Sequence, residues 1–321
     1  MKEVKIIKYT EDWECALRDY MKKRFPTYSE EYISYCVGHA KDREPALLVI
    51  NEDGIIVGCQ QFYCTHAVYK GQSIDVQWGH DTFLDKEYRS VIGLDFVLAI
   101  KSVGNIFGIG LTDVNKKIYK LQKAVFFEGV YNYYIFTPFV IIDLFFRVFH
   151  LKKKNTKWIE VIRYKDCSFK KVTSAKEITI PNNGFWFDGY NDLDFIRDTN
   201  FLDKRFFNNE VYKYAVYSSG SAYFVVRKTI YRGFPALLVC DFRYNPSDNR
   251  SVNFLMKSVA KVAEKTHSGL ILFMCGDKSI NHYFKHRIHY KRPTNFVSLL
   301  KIPHNSSFTI TGGDADAELL I

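Results

Sequence analysis

The run Ser73-Ile74-Asp75-Val76-Gln77-Trp78-Gly79-His80-Asp81-Thr82-Phe83-Leu84, followed by Asp85-Lys86-Glu87-Tyr88-Arg89-Ser90-Val91-Ile92-Gly93-Leu94, decides the fold because the chain says it twice. Strand-like Ile55 to Tyr69 and a Lys70-Gly71 turn lead into it. In the second half Ser221 to Tyr231, an Arg232-Gly233 turn and Phe234 to Tyr244 lead into Asn249-Arg250-Ser251-Val252. Both copies continue with an apolar segment, a short apolar strand (Ile106 to Leu111; Leu270 to Cys275) and a matching helix start. Those starts are Asn115-Lys116-Lys117-Ile118 and Asp277-Lys278-Ser279-Ile280. The copies stand 162 residues apart at the turns and helix starts and 161 apart at the Arg-Ser-Val tripeptides. A register that holds over so many elements marks a duplicated domain.

The 321 residues are enough for two domains, each with its own core, and the 47% hydrophobic content with 27 Phe and 22 Tyr excludes disorder. A net charge of +10 favours acidic partners without choosing among nucleic acid, a membrane surface and a phosphorylated small molecule. The seven cysteines are scattered singly with no Cys-x-x-Cys pair, which reads as small buried side chains in a reducing compartment. The opening Met-Lys-Glu-Val-Lys-Ile-Ile has no signal-peptide pattern, so a cytoplasmic location is expected.

Tyr134 to Leu151 is almost wholly apolar and precedes Lys152-Lys153-Lys154, yet Pro138, Asp143 and Arg147 interrupt it and it is short for a membrane span. Asp143, Arg147, His150 and Lys154 fall on one helical stripe. A buried connector between the copies is therefore expected ahead of a membrane-surface helix, with no transmembrane segment.

Each copy reads as strand, helices, antiparallel meander, then helix, strand, helix, strand. In the first copy the helices fall at Trp13 to Arg24, Glu30 to Gly38, about Gly93 to Ser102 and about Val114 to Lys123. The fold class expected is mixed α/β: two tandem domains, each a mostly antiparallel mixed sheet flanked by helices. The bounds read from the repeat are 1–140, a helical connector 141–157, a second domain 158–303 and a polar, loosely ordered tail 304–321.

A strand that ends in a turn and opens a helix offers free backbone N–H groups and a positive dipole end, which suit a diphosphate. Phe83, Leu84, Arg89, Ser90, Val91, Ile92, Gly93 and Leu94 form that segment. In this order of elements the first copy resembles the GNAT superfamily of acyl-CoA-dependent N-acyltransferases. In that family a Val-x-Pro-x-Tyr-Arg-like run and an Arg/Gln-x-x-Gly-x-Gly/Ala loop hold the CoA pyrophosphate. Leu84 to Arg89 stand in that place, with Gly93 the one glycine retained. The family's later Asn-x-x-Ala, its Tyr seven residues after the Asn and its Gly-Phe are echoed by Asn115, Ile118 and Phe127. Here Gln122 replaces the tyrosine that protonates the CoA thiolate, and Phe126 replaces the glycine. Tyr119, one helical turn away, is read as packing. Asn249 to Phe254 contain no glycine, so a second CoA site is not expected.

The resemblance extends to tandem, FdhC-type enzymes that acylate a dTDP-linked 3-amino-3,6-dideoxyhexose for bacterial surface polysaccharides. It implies acyl-CoA as co-substrate (acetyl-CoA or 3-hydroxybutyryl-CoA), a nucleotide-linked amino sugar as acceptor, no metal and no nucleic acid beyond the nucleotide. It leaves a homo-oligomer open. For an amine attacking a thioester, positioning and one base suffice, and the released thiolate or water is the alternative proton acceptor. Period-two alternation puts Trp78, His80 and Thr82 on one strand face and Asp75, Gln77 and Asp81 on the other, making His80 the first candidate base. Asp81 takes that place if the register slips by one. For the acceptor, Trp78, the aromatic loop with Asn182, Trp186 and Tyr190, and Arg243 at a strand end are the candidates. The competing readings are a FemABX-like transfer from aminoacyl-tRNA and a non-catalytic basic binding protein.

Overall fold

A computed structural model describes residues 3–42, 46–148, 156–165, 167–178, 191–209, 211–276, 280 and 289–314. In chain order these form β1 (Val4–Lys8), α1 (Glu14–Arg24), α2 (Glu30–Asp42), β2 (Leu47–Asn51), β3 (Ile56–Tyr69), β4 (Gln72–Leu84), α3 (Arg89–Ser102), β5 (Ile106–Ile109), α4 (Asp113–Leu121) and β6 (Val125–Phe127). There follow β7 (Tyr131–Phe136), α5 (Phe139–Val148), β8 (Val161–Arg163), β9 (Ser168–Val172), β10 (Leu193–Phe195), α6 (Thr199–Leu202), β11 (Ala215–Ser218) and β12 (Ala222–Tyr231). The last are β13 (Phe234–Tyr244), α7 (Asn249–Lys265), β14 (Leu270–Cys275), β15 (His289–Pro293) and β16 (Phe296–Ser298).

The fold class is the one expected, two mixed sheets flanked by helices. The first sheet runs β1-β2-β3-β4-β5-β16-β6, with β4 and β5 parallel. The second runs β15-β7-β14-β13-β12-β11-β9-β8, with β13 and β14 parallel. The first sheet takes in two strands of the second repeat, β16 and, paired off the main order with the end of β3, β10; the second sheet takes in one strand of the first repeat. β7, last in the first copy, pairs with β14 and β15, and β16, last in the second copy, lies between β5 and β6. The compact units accordingly do not follow the linear bounds 1–140 and 158–303. One comprises the chain up to His66, Ser73–Phe127 and Asn295–His304, the other Ala67–Gln72, Glu128–Thr294 and the chain from Asn305. An apolar strand alternates in the same way whichever sheet it joins, so the repeat gives the strand's existence and not its partner.

In the first unit α3 shows how the core and the site share one helix. Ile92, Phe96 and Ile100, four residues apart, bury against Leu47, Val49, Phe62 and Ile106, while Leu94 and Leu98 remain exposed on another face. The helix begins at Arg89, not near Gly93, because a 3-10 turn over Lys86–Tyr88 runs directly into it.

Two expectations are corrected. Over its described start the connector is not buried: Phe139 stacks on His267 at 5.0 Å, but Ile141 is 70% and Ile142 42% exposed. The tail is not loose up to Asp314, since Thr309, Ile310, Thr311 and Asp314 are all buried. Side-chain and backbone partners hold it: Thr311 pairs with Cys275, Gly276 donates to the Ile310 carbonyl at 3.2 Å, and Asp192 receives Ser307 N at 2.7 Å.

Candidate functional site

The site begins where two parallel strands part. β4 and β5 pair at Gln77 with Ile106 and Trp78 with Phe107. Beyond that point stand Gly79 and Gly108, and a Cβ on either would lie 3.3 Å from the Tyr119 hydroxyl. Two residues without side chains thus leave room for the tip of a tyrosine in the fork. Tyr119 is buried, and desolvation pushes its hydroxyl pKa up to about 12, so it carries its proton at neutral pH.

A cavity of about 490 Å³ opens from the fork. Its floor is Gln60, Thr82 and Phe83, and its walls are Leu94, Val97 and Leu98 of α3 and Val114, Asn115, Ile118 and Gln122 of α4. Thr112 caps α4 by accepting from Asn115 N at 3.3 Å, which fixes the helix start at the cavity. Gln60 ties the floor together: its amide donates to the Gln61 and His80 carbonyls at 2.7 and 3.1 Å, and Thr82 Oγ1 donates to its carbonyl oxygen.

Of the expected cofactor-binding residues, Phe83, Leu84, Arg89, Gly93, Leu94 and Asn115 line this cavity. Ile92 points into the core, and Ser90 and Val91 are exposed outside the lining. That split follows from the helical start at Arg89, which turns successive residues to different sides. At the helix entry Tyr88 N donates to the Asp85 carbonyl and Arg89 N to the Lys86 carbonyl, so these two donors are already used. Arg89 Nε donates to the Leu84 carbonyl at 2.9 Å, with the guanidinium 5.9 Å above Phe83, setting a cation at the cavity mouth. A Cβ on Gly93 would meet only Leu84 Cδ2, at 4.0 Å, so a side chain there would grow into open cavity.

His80 and Asp81 do not line the cavity, and Asp81 accepts from Tyr32 of α2. His80 Nδ1 lies 3.0 Å from Asp81 Oδ2, so neighbours expected on opposite faces sit together. The cause is the backbone: Asp81 has φ +50°, which breaks the strand alternation at that residue. A non-glycine residue there costs on the order of 1 kcal/mol, which its hydrogen bonds offset. Tyr28 Oη donates to Asp81 Oδ1 at 2.8 Å, and Tyr32 Oη and Cys36 Sγ donate to Oδ2 at 3.3 and 3.4 Å. Burial pushes the Asp81 pKa up, but these donors, His80 first, outweigh it and hold the carboxyl below its usual range. An ionised Asp81 keeps the proton on His80 Nδ1 and makes Nε2 the basic nitrogen. Cys36, His80 and Asp81 also offer ligand-type atoms within 4.8 Å of one another, a grouping that no sequence spacing announced. Their hydrogen bonds already account for these contacts.

The acceptor candidates are placed as follows. Trp78 is 1% exposed and packs on Phe107 and Phe296 at 5.5 and 6.0 Å, inside an aromatic stack. Arg243 is fully buried and donates to the Phe242 and Phe195 carbonyls at 3.1 Å, because its strand end is covered rather than open to solvent. Asn182, Trp186 and Tyr190 lie outside the described residues.

The second sheet has a fork of the same kind, filled by the chain itself. β13 and β14 pair from Ala236 to Val239 against Leu270 to Phe273 and then part. Thr311 occupies the gap, bridging to Cys275 and donating from Oγ1 to Asp241 Oδ1 at 2.6 Å. Arg197 donates to Asp241 from Nε at 2.9 Å and Nη2 at 3.2 Å and also bonds Asp314; Tyr223 Oη donates to Asp241 Oδ2 at 2.9 Å. Burial alone would raise the Asp241 pKa, but Arg197 and Arg243 prevail and hold it low. At the start of α7 Asp248 caps Arg250 N at 3.0 Å and Ser251 Oγ donates to the Ser221 carbonyl at 2.8 Å.

No protein-family model and no curated protein matches the chain. Its structure is similar to a conserved protein from Enterococcus faecalis described as a probable N-acyltransferase (14% identity, 92% of this chain and 72% of that one, TM-score 0.55). It is also similar to a GCN5-related N-acetyltransferase from Anabaena variabilis (12% identity, 92% and 72%, TM-score 0.57). A third likeness is Saccharomyces cerevisiae N-myristoyltransferase with bound myristoyl-CoA (8% identity, 92% and 78%, TM-score 0.57). The chain therefore shares the fold of these N-acyltransferase structures.

Proposed function

We propose that the protein is an N-acyltransferase that takes its acyl group from acyl-CoA at the β4/β5 fork. The observation that carries this reading is the apolar cavity between α3 and α4, which leads to a fork kept open by Gly79 and Gly108. The lining fits a thioester arm: aliphatic walls for the carbon chain, Asn115 and Gln122 for amides, and Arg89 at the mouth for phosphate. CoA would supply the activated acyl group. The chain's residues do the rest: the walls exclude water, β4 fixes the position of the reacting groups, and His80 Nε2 accepts the proton of the attacking amine while Asp81 holds the ring. Tyr119, protonated and in the fork, gives its hydroxyl proton to the departing thiolate, a role that in the resembling family belongs to a tyrosine at the position of Gln122.

The acceptor we favour is the amine of a nucleotide-linked amino sugar, dTDP-3-amino-3,6-dideoxyhexose first, approaching from the side of Tyr28 and Tyr32. What supports it is the tandem GNAT pattern of the sequence and the hydroxyl-rich surroundings of Asp81. The test is thiol release, followed with a thiol-reactive dye, using acetyl-CoA and 3-hydroxybutyryl-CoA against dTDP- and UDP-linked amino sugars. Release that requires both partners supports the transferase. Absence of release with every pair, together with no thermal stabilisation by CoA, contradicts it and leaves the aminoacyl-tRNA and binding-protein readings.

A further inference from the structure

The acyl-transfer reading leaves one surface unused. At one end of the second sheet lie the end of β7, the β12–β13 turn and the start of β14, and α5 departs from there. Phe136, Ile230 and Tyr290 are exposed at this end, and α5 adds Ile141, Ile142, Leu144 and Phe145, also exposed. On a helix, positions 141, 142, 144 and 145 fall within one arc, so these side chains form a single apolar face. Cations stand near it. Arg232 in the turn lies over Tyr231, and Arg292 is exposed on the edge strand β15. The sequence places Lys152-Lys153-Lys154 soon after the helix.

Among the described residues no helix is long and apolar enough to cross a membrane. An aliphatic helix face with Lys and Arg near it matches a different solvent boundary, the headgroup layer, where apolar side chains reach the acyl region and cations meet anionic headgroups. A second copy of the chain meets this surface less well, because a two-fold contact would bring these cations together. We propose that α5 and the neighbouring sheet end form a peripheral membrane-binding surface for an anionic bilayer, with α5 lying in the plane of the interface.

The proposal is independent of the acyl-transfer reading and is tested on the full chain by co-sedimentation with phosphatidylcholine vesicles, with and without phosphatidylglycerol. Binding that requires phosphatidylglycerol and weakens with salt is expected. The exposed-face double variant Ile141→Asp/Leu144→Asp should lower the partition by roughly tenfold or more, with an unchanged thermal melt. Reversal of Lys152, Lys153 and Lys154 to Glu should lower it by a similar factor. Equal partition of wild type and the double variant, or no dependence on phosphatidylglycerol, overturns the proposal. So does light scattering that shows a dimer dissolved by the double variant without lipid binding, which would assign the face to a second copy.

Discussion

The two forks of this molecule begin alike and end differently. In both, a parallel strand pair opens after a few residues of pairing, and what fills the gap is different. The β4/β5 gap has glycines on both strands, one tyrosine hydroxyl and a cavity of about 490 Å³. The β13/β14 gap holds Thr311, with Asp241, Arg197 and Asp314 in a buried ion network around it. Duplication therefore preserved the scaffold and not the opening. A fork serves a ligand only if nothing else in the chain satisfies the groups that it exposes.

The largest expected effect comes from breaking the closed fork. Asp241→Ala leaves Arg197 buried beside a single carboxylate and should cost about 3–5 kcal/mol in urea unfolding. The same network sets an acid limit. A carboxyl whose pKa is depressed in the folded state contributes its full stability above the unfolded value of ~3.9 and loses it as pH falls through the folded value. Wild-type stability should thus drop below that pH, and Asp241→Ala should flatten the drop, as seen by unfolding at a series of pH values.

Next is closing the open fork. Gly93→Trp should weaken CoA binding by on the order of a hundredfold in calorimetry, because the ring has cavity to enter, while thermal stability changes little. Smaller effects fall on chemistry rather than binding. His80→Gln should lower the rate of thiol release by roughly a hundredfold with KM for acyl-CoA unchanged. Asp81→Asn should lower it roughly tenfold and move the pH–rate profile, since the ring loses the ionised partner that fixes its tautomer. Tyr119→Phe should cost about tenfold or less, as the thiolate is a fair leaving group without help.

Much of the fold was legible because it rests on local pattern. The 162-residue register, the Lys70-Gly71 and Arg232-Gly233 turns and the apolar periods placed most helices and strands close to where they lie. The exchange of β7 and β16 was not legible, since strand alternation names no partner. Phe83, Leu84, Arg89, Gly93 and Leu94 share one cavity because a strand, a turn and a helix put them together in sequence, and α4 adds Asn115. The opposite faces expected for His80 and Asp81 do not hold, because Asp81 has a positive φ and accepts from Tyr28, Tyr32 and Cys36 of a distant helix region, none of which the strand pattern marks. The place of Tyr119 in the fork has one mark in the sequence, the pair Gly79 and Gly108, two glycines inside apolar strands. Arg243 and the tail are not legible because burial by residues 48 and 70 positions away leaves no mark in the local sequence.

The central claim is that one fork of the two receives CoA. Hydrogen exchange of the full chain with and without CoA tests it most directly. The account predicts slowed exchange in α3, α4 and the end of β4, with β13, β14 and residues 308–314 unchanged. Protection at the second fork, or none at the first, would contradict it.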